Sequence, residues 1–280
     1  MIELPEGLVL AEQLDRELRD KRITDVRANT SPHRFAWYDG DPAAYPLRFT
    51  GREIEGAHSY GGKVHLRLKG SGGFLFADGI CLRLVPAGGT IPKKHQLYLE
   101  FEDGTRLVGS VQMYGALIGY DSLPVSAYDE AARQKPCPLS DDFSPVYFDG
   151  LLRNVKPSLS AKAFLATEQR IPGLGNGVLQ DILFRAGVHP KRAVSSLSSA
   201  DQDALFGSVK TTLREMAEAG GRNTEKDLYG RPGGYFTLLC RNTVLYPCPH
   251  CGASLVKEAY LGGSIYFCPS CQPSTQYYKR

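Results

Sequence analysis

Four cysteines near the C-terminus constrain this chain more than any other feature. They form Cys248-Pro249-His250-Cys251 and Cys268-Pro269-Ser270-Cys271, a C-x2-C-x16-C-x2-C spacing. Each C-x-x-C turn can present two thiolates at adjacent corners of a tetrahedron, so Cys248, Cys251, Cys268 and Cys271 read as the ligands of one Zn2+. Four sulfurs close the coordination sphere, which makes that zinc structural rather than catalytic. A pair of redox disulfides is the weaker alternative. The residues between the two turns suit a β-hairpin, with strands around 254–260 and 264–267 and a turn at Gly262-Gly263. His250 reads as exposed, and Cys81, Cys137 and Cys240 as scattered, buried small side chains.

The second organising stretch is 171–192, IPGLGNGVLQDILFRAGVHPKR. Val178, Leu179, Ile182, Leu183 and Ala186 follow the i, i+3, i+4, i+7, i+8 spacing of one helix face. Gly187 supplies a stop, with Pro190 just beyond it. Asn176 then falls near the helix N-terminus on a glycine-rich turn. Free N–H groups and the positive end of the helix dipole make such a place an anion site, with phosphate the obvious guest. The alternative is a tight turn in which Asn176 is a plain N-cap.

Before this stretch the chain alternates. An N-terminal helix from Pro5 places Leu8, Ala11, Leu14 and Leu18 on one face, with Glu6 at the positive dipole end. The runs 64–68 and 97–101 alternate as half-buried strands do, and Asp103-Gly104 is a hairpin signal. Residues from about 20 to 120 therefore read as an antiparallel sandwich or barrel. Lys63 begins a strand after Gly61-Gly62. Gln112, Met113 and Tyr114 close the β segment, either as strand residues or as groups that enter a nucleic-acid stack. Residues 121–149, rich in Pro, Ser and Asp, read as a linker. Helices follow over 160–166, which contains Lys162, and over 199–219 with Ser199 as N-cap. The Gly- and Pro-dense 222–235 reads as a mobile loop that could contact a ligand through Lys226, Arg231 and Tyr235.

Charge is uneven along the chain. Residues 1–150 hold 17 Lys and Arg against 21 Asp and Glu, whereas 151–280 hold 16 against 9. A basic second half is compatible with nucleic acid. No apolar run approaches a membrane span and no signal peptide is visible. A cytoplasmic, nucleoid-associated, monomeric protein is the expectation.

The order of these parts resembles the formamidopyrimidine-DNA glycosylase/endonuclease VIII family of base-excision repair enzymes. The IELPE start, the segment from Gly173 to Pro190 and the C-terminal FCPSCQ carry the resemblance, which spans nearly the whole chain. It implies an α+β protein: an N-terminal antiparallel β-sandwich with an N-terminal helix, then a helix–two-turn–helix domain, then a zinc β-hairpin. The corresponding boundaries are 1–135, 136–235 and 236–280. The resemblance also implies a partner, double-stranded DNA with a damaged base or an abasic site, whose target base is flipped out.

In that family an N-terminal proline, exposed by removal of the initiator methionine, attacks C1′ and forms a Schiff base, and a neighbouring glutamate assists. Here Ile2 stands at the proline's position. Methionine removal generally needs a small second residue, so Met1 is expected to stay and the Ile2 nitrogen to be an amide. Three readings follow: the Met1 amine replaces the nucleophile, Glu3 activates water, or the protein binds lesions or abasic sites without catalysis. Unusual processing that exposes an Ile2 amine is a further route. Catalytic candidates are thus Met1, Ile2, Glu3, Glu6 and Lys63. The resemblance implies DNA contacts by Lys63, Gln112, Tyr114, Lys162 and Asn176, with Tyr114 as the wedge and Gln112 facing the orphaned base. Ile80 matches a void-filling methionine, Asp181 a glutamate, and the hairpin tip lacks the family's arginine. The enzyme expected is a DNA glycosylase acting on damaged bases or abasic sites, with its abasic-site lyase activity put in doubt by Ile2 at the proline's position; the alternative is a non-catalytic damaged-DNA or abasic-site binder.

Overall fold

The computed structural model describes residues 1–274. Helix α1 (Leu4–Leu18) opens the chain with Pro5 in its first turn. Glu6 accepts the N–H of Glu3 at 3.2 Å and so satisfies a donor just outside the helix. Leu10, Ala11, Leu14 and Leu18 enter the core of the β half, whereas Leu4 enters the core of the helical half. Leu8, expected beside Ala11 and Leu14, packs instead against the helical core. The helix is wedged between two apolar bodies, so two of its faces are buried rather than one.

The β half contains β1 (Ile23–Ala28), β2 (Ala36–Trp37), a short helix α2 (Tyr45–Phe49), β3 (Ile54–Tyr60), β4 (Lys63–Leu68), β5 (Gly73–Val85), β6 (Leu97–Phe101) and β7 (Arg106–Tyr120). The strand order is β1-β6-β7-β5-β4-β3, with β2 lying alongside β7. Every pairing on that path is antiparallel, and β2 alone among the described strands runs parallel to its neighbour. The long strands β5 and β7 carry the sheet around into a half-barrel. Phe49, Phe74, Phe76 and Leu117 belong to its buried core.

Residues 121–149 are more than a linker. They contain α3 (Ala127–Gln134) and the start of α4 (Pro145–Arg153), capped by the side chains of Ser126 and Ser144. The Ser, Pro and Asp content that suggests a linker is here the chemistry of helix starts. α3 packs against β3 and meets β4 at His65, which is buried with its Nε2 2.8 Å from the Asp129 carboxylate. This contact breaks the simple alternation expected of β4.

α5 (Ala161–Ala166), α6 (Val178–Arg185) and α7 (Ser199–Glu218) complete the helical half. Its core gathers Phe148, Phe164, Leu179, Ile182, Leu183, Val209 and Leu213. The cap of α7 is Ser198 rather than Ser199, because Asp201 three residues on closes a capping box with it. The C-terminal hairpin is β8 (Val256–Tyr260) and β9 (Gly263–Phe267). Its turn is Leu261-Gly262, both at positive φ (48° and 71°), so Gly263 is the first strand residue and not part of the turn.

The 222–235 segment is pinned, not mobile. Leu228 sits in the β core; its N–H donates to Gln13 at 2.9 Å and its carbonyl accepts from Leu84 at 2.9 Å. The Tyr229 hydroxyl donates to Glu17 at 2.6 Å. The segment is a strap across α1, and its glycines shape turns rather than confer freedom. Cys81, Cys137 and Cys240 are half-buried rather than buried. Among the described residues no helix is long and apolar enough to cross a membrane.

Candidate active site

The first three residues run between the two halves. The Ile2 N–H donates to the carbonyl of Asp78 at 2.7 Å, and the Leu4 N–H donates to that of Gly173 at 2.9 Å. One bond goes to each half, so both bodies fix where the chain begins. Asp78 is part of a β-bulge: the β5–β7 register shifts between Asp78 and Ile80, and Asp78 has φ 65°. Asp tolerates the left-handed region better than most residues. The bulge aims the Asp78 side chain into a cavity of about 240 Å³ shared with Met1, Glu3, Lys63, Tyr114 and Asn176.

Glu3 occupies the N-terminal end of α6. Its carboxylate accepts from the backbone N–H of Gly177 and of Val178, both at 2.8 Å. The anion expected at this helix start is therefore the protein's own, not a phosphate. Glycines permit the approach, since a Cβ on Gly175 would fall 2.7 Å from the Glu3 carboxyl. Burial pushes the Glu3 pKa up, and this outweighs the nearby Arg222 charge and the two amide bonds. Glu6 shows the opposite balance. Burial again disfavours its charge, but Arg222 overcomes it and holds the carboxyl below its ordinary range. Arg222 grips Glu6 with two side-chain bonds, from Nε at 2.9 Å and Nη2 at 2.7 Å, and its backbone N–H adds a third at 3.1 Å. Its Nη1 is 3.6 Å from Glu3, and all three side chains are buried.

The Met1 ammonium is the first chain atom free of the backbone network. It pairs with Glu225 at 2.5 Å, and the Tyr114 hydroxyl lies 4.0 Å from the Met1 sulfur. Ile2, by contrast, is buried in the β core with its nitrogen committed to Asp78. Burial also raises the Asp78 pKa, against the charges of Lys63 and the N-terminus.

The structure thus brings Met1, Ile2, Glu3, Lys63, Tyr114 and Asn176 together and leaves three other candidates outside the cavity. Glu6 faces Arg222 behind it. Gln112 is exposed on β7. Lys162 is buried and donates to the carbonyl of Tyr260 in the zinc hairpin, with its pKa lowered by burial. Ile80 packs into the β core rather than onto an open face. Asp78, Arg222 and Glu225 escape the sequence reading. Gly79 in mid-strand is an available sign of a bulge beside Asp78; Arg222 and Glu225 reach the site only through the strap, which leaves no local signature.

The hairpin is docked against the GLGN turn. Asn176 Nδ2 and Gln180 Nε2 both donate to the carbonyl of Ser264, at 3.0 and 3.1 Å, and Gln180 Oε1 accepts from the Tyr266 N–H at 3.0 Å. The Oδ1 of Asn176 is buried without a partner among the described residues. At the base of the hairpin the four cysteine sulfurs lie within 4.8 Å of one another. Two of the edges are 3.8 Å (Cys248–Cys271) and 3.5 Å (Cys251–Cys268). A tetrahedron with Zn–S bonds of about 2.3 Å has edges of about 3.8 Å, so the sulfurs fit zinc. The turns fit it too: the Cys271 N–H points at the Cys268 sulfur at 3.4 Å. These four cysteines are a closed, structural zinc site. His250 is exposed, with Nδ1 3.4 Å from the Cys271 sulfur.

A β half-barrel joined to a helical body by a shared N-terminal helix, with a zinc hairpin closing on the helical turn, defines a helix–two-turn–helix protein. The family model for the formamidopyrimidine-DNA glycosylase H2TH domain matches residues 135–227. A formamidopyrimidine-DNA glycosylase of Geotalea daltonii is 30% identical over 97% of this chain and 100% of its own length. One from Chloroflexus aggregans is 29% identical over 99% and 100%. Among solved structures, the MutM (Fpg) protein of Thermus thermophilus superposes with a TM-score of 0.78 at 24% identity, covering 96% of this chain and 98% of that one. Lactococcus lactis Fpg in complex with abasic-site DNA gives 0.83 at 22% identity, over 97% and 100%. The chain belongs to the formamidopyrimidine-DNA glycosylase family.

Proposed function

We propose that this protein is a DNA glycosylase acting on damaged bases or abasic sites in duplex DNA, and that the Met1 amine is its nucleophile. The relatives' named activity supports the first part. The observation that carries the second is the cavity: Met1, a buried carboxyl with a raised pKa, a lysine and an aromatic ring line one small space, and the charge of the Met1 amine acts on Asp78 within it. The lone pair of the Ile2 amide is delocalised into the Met1 carbonyl, so the nucleophilic backbone nitrogen is the Met1 amine.

Glu225 takes a proton from the Met1 ammonium. The neutral nitrogen attacks C1′ of the flipped nucleotide, the C1′–base bond breaks, and its electron pair leaves with the base, which is protonated by Lys63. The nitrogen loses a second proton to solvent. Its lone pair then forms C1′=N as the C1′–O4′ bond breaks, and O4′ takes up a proton relayed from solvent by Glu3, whose pKa burial raises. Water adds to the iminium, returning the amine and leaving an abasic aldehyde. Lys162 and Asn176 support the DNA-facing hairpin from below, and Gln112 faces the strand opposite.

The contact between the Met1 amine and Glu225 favours a second reading, lesion binding without base release, because the amine is engaged by the protein's own carboxylate rather than free. Borohydride trapping with an abasic-site duplex separates the two. An adduct mapped by intact mass and peptide analysis to the Met1 peptide is expected. No adduct, but base release abolished by Glu3→Gln, transfers the chemistry to a Glu3-activated water. Neither adduct nor base release overturns the enzyme reading and leaves a damaged-DNA binder.

A further inference from the structure

Beside the cavity, on the outer edge of the sheet, lies a cluster of exposed aromatic surface that the proposed chemistry does not use. Phe35, Trp37 and Met113 are 47%, 46% and 67% exposed. The Trp37 ring sits 5.7 Å from that of Tyr114, centroid to centroid, at an interplanar angle of 37°. The Arg34 guanidinium lies 5.2 Å over the Phe35 ring. These groups are held in place. β2 pairs with β7 at Ala36–Gly115 and Trp37–Ala116, and the Gly115 N–H donates to the Phe35 carbonyl at 3.0 Å.

We infer that Trp37, with Phe35 beside it, is a stacking platform for an unstacked nucleobase of the DNA strand that runs past the cavity. The inference rests on the DNA reading above. Continuity supports it: Tyr114 lines the cavity on one side and touches Trp37 on the other, so a strand engaged at Met1 meets this surface next. Chemistry supports it too. The exposed groups are flat rings on a fixed backbone with a cation next to them, which suits a base and its phosphate. Rings beside an arginine also suit a protein partner; continuity with the cavity through Tyr114 is what selects a base. A base expelled from a duplex needs an apolar face to replace the lost stack. Each base–aromatic stack is strong enough to show in affinity and tolerates any base.

The chain has a single tryptophan, so the platform carries its own reporter. The unmodified protein is titrated with a duplex containing a tetrahydrofuran abasic analogue and with the intact duplex of the same sequence. Trp emission and the anisotropy of dye-labelled DNA are recorded in parallel. The abasic duplex is expected to quench the emission along the same isotherm that the anisotropy follows. Trp37→Ala is expected to weaken abasic-duplex binding about 5- to 150-fold, Trp37→Phe to keep most of it, and intact-duplex binding to stay unchanged in both. Anisotropy that saturates while the emission stays flat, with Trp37→Ala binding as tightly as the parent, overturns the platform and leaves the DNA reading standing. No anisotropy change with either duplex overturns both, and points to a protein as the patch's partner.

Discussion

Arg222→Met offers the sharpest test of how the start of the chain is held. The methionine roughly keeps the volume of the arginine stem and deletes the charge. It removes two side-chain bonds to Glu6, at 2.9 and 2.7 Å, and the cation 3.6 Å from Glu3. Breaking a buried pair from one side typically costs about 3–5 kcal/mol. A second estimate comes from the escape route. The variant can bind a proton at Glu6, and protonating a carboxyl of ordinary pKa about 4.3 at pH 7 costs about 3.7 kcal/mol. The two agree, so a loss of about 3–4 kcal/mol is expected at pH 7.

The pH dependence follows with a definite sign. In the parent, the depressed pKa of Glu6 gives stability that is present above the unfolded value and lost as pH falls through the folded one. The variant reverses this, because its folded state holds a proton that the unfolded state releases. Its deficit shrinks by about 1.4 kcal/mol between pH 7 and pH 6. Urea unfolding at the two pH values, followed by Trp37 emission and far-UV circular dichroism with zinc present, measures both quantities. Arg222→Lys should recover little, since a single ammonium cannot make the two-pronged contact. A loss below about 1 kcal/mol, or one that is the same at pH 6 and pH 7, would refute the reasoning.

Removing zinc with a chelator, or introducing Cys268→Ser, should unfold the hairpin while the helical core persists, because metal binding and folding are one process there; amide exchange should rise over 248–272 and at Gln180, with α7 still protected. Asp129→Asn should cost about 2–4 kcal/mol, since Asp129 is fully buried and accepts from His65 at 2.8 Å and from the Val125 N–H at 3.1 Å. Burial raises the Asp129 pKa but the His65 bond outweighs that and lowers it, so the stability that Asp129 itself contributes should be present above its unfolded pKa and be lost as pH falls through the folded one, narrowing the gap between parent and variant melting temperatures in acid.

What can be foreseen divides along physical lines. The zinc site, the GLGN turn and the α6 and α7 helices rest on local spacing, and such patterns survive in one dimension. The strap over α1 does not, because its order comes from Gln13, Glu6 and Glu17, which lie about two hundred residues away in sequence. Its glycines and proline are the same whether the segment hangs free or is tied down. α3 is hidden for a related reason: its anchor, the His65–Asp129 contact, joins a strand to a helix that composition alone presents as a linker. At the site, Met1, Glu3, Lys63, Tyr114 and Asn176 are legible as separate points, and only the fold shows that they share a cavity. Asp78 and Glu225 are not legible, because each depends on a bend in a distant element.

One small contact sets how closely the two halves approach. Gly61, at φ +60° in the β3–β4 turn, and Gly173, at φ +82° in the GLGN turn, face each other so closely that a Cβ on either would fall 2.8 Å from the other's backbone. The gap between the halves is therefore set by two missing methyl groups, as a spacer sets the opening of a vice. Any side chain there would widen the jaws and draw the Leu4–Gly173 and Ile2–Asp78 bonds apart together. The chain start would then lose its fixed height in the cleft, and a reacting atom misplaced by about an ångström can forfeit roughly two orders of magnitude in rate. The least conspicuous residues in the protein thus act as its calibration.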